Sequence, residues 1–208
     1  MAGSPGPAVP GAAPVPERER AQRVGVLAVQ GDFEAHGRAL SALGCDPVEV
    51  RRPQQLAGLD ALVLPGGEST TITKGLEAYG LAQPICDFAR SGRPVLGTCA
   101  GLIVLDRNHL GLIDIEAHRN AFGRQVRSFE ADLRVRGLGD EPLRAVFIRA
   151  PWIERWGDGV EVLSEVDGRA VVARERNVLV AAFHPELTDD LRLQALFLSL
   201  TPVRAGAR

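Results

Sequence analysis

Cys99 stands between two glycines in the run Gly97, Thr98, Cys99, Ala100, Gly101, directly after the apolar residues Pro94 to Leu96 and before the helix-like GLIVL. Residues of these types at this spacing suit nucleophilic attack from a strand-to-helix elbow. The sharp turn holds the nucleophile in a strained backbone conformation, and glycines two residues to either side give the chain room to fold back. The first turn of the helix aims unpaired amides and the positive end of its dipole at the sulfur, which favours thiolate over thiol. A thiolate attacks amide carbonyls. A lone cysteine is more often a small buried residue, and Cys45 and Cys86, which lack the paired glycines, are read that way.

A base and its orienter come from Phe183, His184, Pro185 and Glu186, placed just after the apolar run VLVAA. With one residue between them, His184 and Glu186 point the same way from an extended segment, so the carboxylate can hold the imidazole in one tautomer. A surface histidine beside a helix-capping glutamate would fit this tetrapeptide equally well in isolation. His36, His109 and His118 have no such company and are read as structural or surface residues. The third element is Pro65, Gly66, Gly67, Glu68, Ser69, Thr70. Its two glycines let backbone amides turn inward, so Gly67 and Ala100 are candidate donors to a developing oxyanion. The same loop also fits a tight turn with Ser69 or Thr70 capping a helix. Gln30, in the VQGD turn after the first apolar run, is a candidate for sensing a partner, although an ordinary turn glutamine fits as well.

The elements that must position these residues alternate through the first half of the chain. VGVLAV from Val24 reads as a buried strand and Phe33 to Leu43 as a helix; PVEV, DALVLP and RPVLGT give further strands, with helix-like stretches at 69 to 80 and 82 to 91. Alternation of this kind predicts a mostly parallel sheet covered on both faces, an α/β fold. After about residue 110 the rhythm changes to strands joined by turns (RQVRSFEADLRV, RAVFIRA, VEVLSEV, RAVVARE, VLVAAF), which should add antiparallel strands. Asp167 and Gly168 mark a hairpin and Asn177 another turn. A last helix is expected from about Thr188 to Leu200, with Leu191, Leu193, Leu196, Leu198 and Leu200 around its core face.

With 208 residues, 45% of them hydrophobic and 24% charged, the chain supports one buried core. Residues 1–22, rich in Pro, Ala and Gly, bury too little apolar surface to offset the entropy of ordering, so the domain is expected over 23–202, with a disordered extension before it and a flexible tail at 203–208. The 24 basic and 26 acidic residues nearly cancel, which argues against nucleic acid or an anionic membrane as partner. Three cysteines without CxxC spacing suggest neither a disulfide framework nor a zinc site, and a reducing cytoplasm fits best. Neither a membrane-length apolar run nor a signal peptide is expected.

PGGEST, GTCAGL and FHPEL, in that order, resemble the triad glutamine amidotransferases. HRNAFGRQVRSFEADL from His118, VFIRAP from Val146 and AFHPELTDD from Ala182 are similar to the glutaminase subunits of pyridoxal 5′-phosphate synthase, over roughly residues 23 to 200. The resemblance implies a flavodoxin-like three-layer fold and a Cys99, His184, Glu186 triad that hydrolyses glutamine without metal or organic cofactor. It implies that Gly67, Glu68 and Ser69 hold glutamine, that Arg119 binds its α-carboxylate side, and that Ile148 and Arg149 complete the pocket. It also implies a separate TIM-barrel synthase subunit, in a hetero-oligomer, as the acceptor of the ammonia. Two departures stand out: only DRN lies between Leu105 and His109, where the family carries a longer loop, and Ala121 and Ala182 stand where serine is common. Rival readings are a glutaminase feeding another synthase, a cysteine peptidase or amidase on the same scaffold, and a binding module that has lost catalysis. An intact triad argues against the last, and RNAFGRQ and FIRAP favour the vitamin B6 branch.

Overall fold

The computed structural model describes residues 20–119 and 128–202. Most of RNAFGRQ, including Ala121, the extension up to residue 19 and the tail at 203–208 lie outside the described residues. The early apolar runs form β1 (Arg23–Leu27), β2 (Asp46–Val50), β3 (Ala61–Leu64) and β4 (Val95–Thr98), and the late run VLVA forms β11 (Val178–Ala181). They lie in the order β2-β1-β3-β4-β11, each neighbour parallel to the next. Every residue of β3, β4 and β11 is buried, as a strand covered on both faces requires.

The sheet continues through antiparallel strands: β10 (Arg169–Glu175) beside β11, then β8 (Trp152–Trp156) and β5 (Ile115–His118), with β9 (Glu161–Val166) also paired to β10. The β9–β10 turn is Asp167 and Gly168, both at positive φ (50° and 71°), the backbone a two-residue hairpin needs. β6 (Ser128–Leu133) and β7 (Leu143–Ile148) make a separate antiparallel ribbon. Asn177, in the β10–β11 turn, donates to the carbonyls of Ala89 and Arg93 (2.8 and 2.7 Å), tying that turn to the approach to β4.

The helices are α1 (Phe33–Ala42), α2 (Ser69–Ala78), α3 (Ala82–Arg90), α4 (Ala100–Leu105) and α5 (Arg192–Ser199). All six residues of α4 are buried, and glycines let it lie directly on the sheet. A Cβ at Gly101 would collide with the Leu64 carbonyl oxygen, and one at Gly97 would lie 2.8 Å from the Gly101 carbonyl oxygen.

Two expectations need correction. The last helix starts at Arg192, not near Thr188, because Pro185–Leu187 form a 3₁₀ turn and Asp190 accepts the Arg192 N–H (3.1 Å). Its fully buried residues are Leu193, Gln194 and Phe197, while Leu196, Leu198 and Leu200 of the expected leucine row pack against the core partly buried. At the other end, Arg20 forks onto the Asp60 carboxylate (2.9 and 3.2 Å), which also accepts the Arg23 N–H (2.8 Å). Part of the stretch that composition assigns to the extension is therefore tied to the domain by charge.

Candidate active site

Because β1, β3, β4 and β11 run parallel, the segments leaving their carboxyl ends gather on one edge of the sheet, where ligands bind in open α/β folds. Those segments carry Gln30, Gly66 to Glu68, Cys99 and His184. Cys99 has φ 48° and ψ −106°, a conformation a side chain enters only at a cost of order 1–3 kcal/mol. Its N–H donates to the Ala181 carbonyl (2.8 Å), so the elbow is fastened to β11. The thiol is 3.9 Å from the Ile148 carbonyl.

The His184 backbone is anchored on β7 through Val146 (N–H to O, 2.9 Å). His184 and Glu186 do not share an extended segment as the spacing suggests. Pro185 starts the 3₁₀ turn, and this tighter path still brings Nδ1 within 2.7 Å of Glu186 Oε1. Nδ1 thereby holds its proton toward Glu186, and Nε2 faces the sulfur. Burial works against a charged His184 ring more than any other influence. Hydrogen bonds to Cys99 and Glu186, with the charges of both, outweigh it and raise the ring from 6.5 to about 10. Glu186 is similarly opposed by burial, yet the hydrogen bond from His184 and the proximity of the His184 and His36 rings hold it at about 2. The pair is an imidazolium on a carboxylate.

The cavity in front of Cys99 has a volume of about 450 Å³ and is lined by every residue proposed for it from sequence: Gly67, Glu68, Ser69, Ala100, Arg119, Ile148, Arg149 and Gln30, together with His184. Ile103 and Pro151, not singled out from sequence, line it too. Ala100 is the first residue of α4, whose N–H has no partner within the helix. Gln30 Oε1 accepts the Glu68 N–H (2.8 Å) and lies over Gly67, whose φ of +150° would strain any side chain placed there. The Glu68 carboxylate turns back on α2 and accepts from Thr70 N, Thr71 N and Thr71 Oγ1 (3.2, 2.7 and 2.7 Å). The helix cap expected at Ser69 or Thr70 is thus Glu68, and the hydrogen bonds from Thr71 and Thr70 hold its carboxyl at about 2. Arg149 (φ 45°) is a second strained residue at the mouth.

Sequence reasoning missed a layer behind these residues. Buried Asp106 accepts from His109 Nδ1 (2.7 Å), which turns His109 Nε2 toward the Arg119 guanidinium (3.3 Å), and Arg119 also reaches Thr70 Oγ1 (3.3 Å). His36, from α1, lies against both Thr98 and Glu186. Its signal in the sequence was a histidine on the apolar face with Ala35, Ala39 and Leu40. His118 instead stacks on Trp152, with centroids 5.0 Å apart.

A family model described as the SNO glutamine amidotransferase family matches residues 26–201. A curated relative from Pelotomaculum thermopropionicum, "Pyridoxal 5′-phosphate synthase subunit PdxT", is 54% identical over 191 residues, 88% of this chain and 97% of its own length. One of the same name from Niallia circulans is 53% identical over 185 residues, 86% of this chain and 97% of that one. A crystal structure of a glutamine amidotransferase superposes with a TM-score of 0.82 at 47% identity, covering 86% of this chain and 99% of that chain. A chain of the PurLQS structure from Thermotoga maritima, at 19% identity and TM-score 0.69 over 86% of this chain and 99% of that one, shares the fold.

Proposed function

The chain belongs to the SNO glutamine amidotransferase family, and from that membership we propose that it hydrolyses L-glutamine to glutamate and ammonia with Cys99, His184 and Glu186, and hands the ammonia to a separate synthase subunit that makes pyridoxal 5′-phosphate. The observation that carries the chemistry is a strained cysteine at a cavity mouth, hydrogen-bonded to a histidine whose far nitrogen rests on a buried carboxylate. The name borne by the relatives, synthase subunit PdxT, supports the destination of the ammonia.

Cys99 Sγ attacks the side-chain amide carbon of glutamine, and the carbonyl π electrons move onto oxygen, where the amides of Gly67 and Ala100 receive the charge. His184 delivers its Nε2 proton to the amide nitrogen as the C–N bond breaks, releasing ammonia and leaving a γ-glutamyl thioester. Water, deprotonated by His184, then cleaves the thioester to glutamate and restores Cys99. Arg119, held by His109 and Thr70, takes the α-carboxylate, while Ser69, Ile148 and Arg149 close the pocket around the substrate.

Gln30, which accepts from Glu68 and covers Gly67, is the residue through which partner docking reaches the oxyanion amides. An uncoupled glutaminase would waste substrate, so the free chain is expected to turn over slowly until the synthase fixes the loop; one missing oxyanion donor costs about 10²- to 10³-fold. The test is ammonia release from glutamine at increasing synthase concentration. Cys99→Ala should abolish it with the fold intact, whereas Cys45→Ala and Cys86→Ala stay near the parent rate. Substantial turnover by Cys99→Ala would sink the assignment. Equal rates at zero and saturating synthase would refute the gating, and normal stimulation of Gln30→Ala would remove Gln30 from it.

A further inference from the structure

The Glu186 side chain is fully buried, and its Oε1 is spent on His184. Its second oxygen, Oε2, makes no well-aligned hydrogen bond among the described residues, and the nitrogen facing it is His36 Nε2 at 3.2 Å. The same nitrogen is 3.1 Å from Thr98 Oγ1, and the His36 side chain is 1% exposed. Were the His36 proton on Nδ1, the Nε2 lone pair would confront a desolvated carboxylate oxygen, which is unfavourable. The proton therefore belongs on Nε2, shared between Thr98 and Glu186. A histidine among Ala35, Ala39 and Leu40 on the packed face of α1 loses hydration that a leucine there would not have to give up, so this polar contact needs a purpose.

We propose that His36 is a positioning residue for the triad: its Nε2–H, delivered from α1, holds the outer oxygen of Glu186 so that the inner oxygen stays fixed on His184 Nδ1. The inference rests on the glutaminase reading of Cys99, His184 and Glu186. A carboxylate with one donor can swing about its terminal torsion, whereas two donors on opposite oxygens fix its plane, as outer partners do for ligating groups in metal sites. Thr98 closes the arrangement, since it accepts from His36 and is joined by one peptide bond to Cys99. Cys99, His184, Glu186, His36 and Thr98 thus form a ring drawn from α1, β4, the elbow and the turn after β11. The titratable groups that lower Glu186 are His184 and His36.

The test compares His36→Leu, which keeps bulk and removes the donor, with His36→Gln, whose side-chain amide nitrogen stands where ring Nε2 stood. Histidine-labelled NMR of the unliganded protein should show His36 with its proton on Nε2 and a strongly downfield His184 Nδ1 proton. His36→Leu should lose that downfield signal. Assayed with the synthase subunit, it should lower kcat by about 10- to 100-fold, as removal of an outer partner does in metal sites. KM should stay within about twofold, since no substrate contact changes. His36→Gln should recover the signal and most of kcat. A His36 proton found only on Nδ1, an unchanged His184 signal and kcat in His36→Leu, or equal impairment in the two variants would each overturn the proposal. The tautomer and the Gln variant decide the matter even where the Leu variant fails to fold. The NMR readings need no glutamine, so they judge His36 separately; a parent protein that releases no ammonia would instead overturn the glutaminase reading.

Discussion

Cys99 is held by its backbone, His184 by its ring and Glu186 by its surroundings, so the three should respond differently to substitution. Glu186→Gln keeps the shape but removes the negative charge that stabilises imidazolium and selects the Nδ1–H tautomer. Turnover should fall about 10²- to 10⁴-fold with the cavity intact. Steady-state ammonia release measures it, and a variant running above half the parent rate would reduce Glu186 to a packing residue. How far this site could be read in advance depended on where each residue finds its partner. Cys99 advertised itself through the glycines at positions 97 and 101, and His184 and Glu186 through their closeness in sequence. His36 could not be read, because Glu186 lies 150 positions downstream (186 − 36) and only the fold brings them within 3.2 Å. Asp106 and His109 were hidden for a related reason: their task becomes visible only when Arg119 is seen leaning on them.

At the level of elements, the elbow depends on α4 lying unusually close to β3 and β4. Gly101→Ala places a methyl against the Leu64 carbonyl, a backbone atom that cannot rotate away, so overpacking should cost about 1–3 kcal/mol or more. A lower urea midpoint with unchanged slope is the expected result, together with lost turnover as Cys99 shifts; parent-like stability would show that α4 can slide. The parallel strands were legible because they are apolar throughout, with buried residues at every position of β3, β4 and β11. β5 and β8 were not. IEAH and WIERW carry charge and are only partly buried, so their strand character comes from pairing with each other and with β10 rather than from composition. The late start of α5 was equally invisible, since leucines at helical spacing say nothing of the 3₁₀ turn Pro185 imposes.

For the molecule as a whole, the buried ion pair links stability to pH from both sides. Glu186 falls from 4.5 to about 2 on folding, so its contribution is complete above about 4.5 and is lost as pH falls toward 2. His184 rises from 6.5 to about 10, so its contribution is complete below about 6.5 and is lost as pH climbs through 10. Both are fully present only between about 4.5 and 6.5, where the melting temperature should peak; in Glu186→Gln the acid limb should flatten while the alkaline limb shrinks only in part, since Cys99 still supports the His184 charge, and an unaltered profile would dissociate the pair from stability. The layered α/β plan was readable from the alternation of runs, but the strand order was not, and that order has a consequence in time. β11 is the last strand among the described residues yet lies inside the sheet, hydrogen-bonded to β4 on one side and β10 on the other. During synthesis β4 must therefore wait, with one edge unpaired, while some eighty residues are added (178 − 98), an exposure that invites wrong pairing. Cys99 waits with it, because the Ala181 carbonyl that fastens the elbow and the His184 ring that activates the sulfur both arrive with β11. The reactive thiol is thus assembled at the end of folding, and a nascent or truncated chain carries the cysteine without its chemistry.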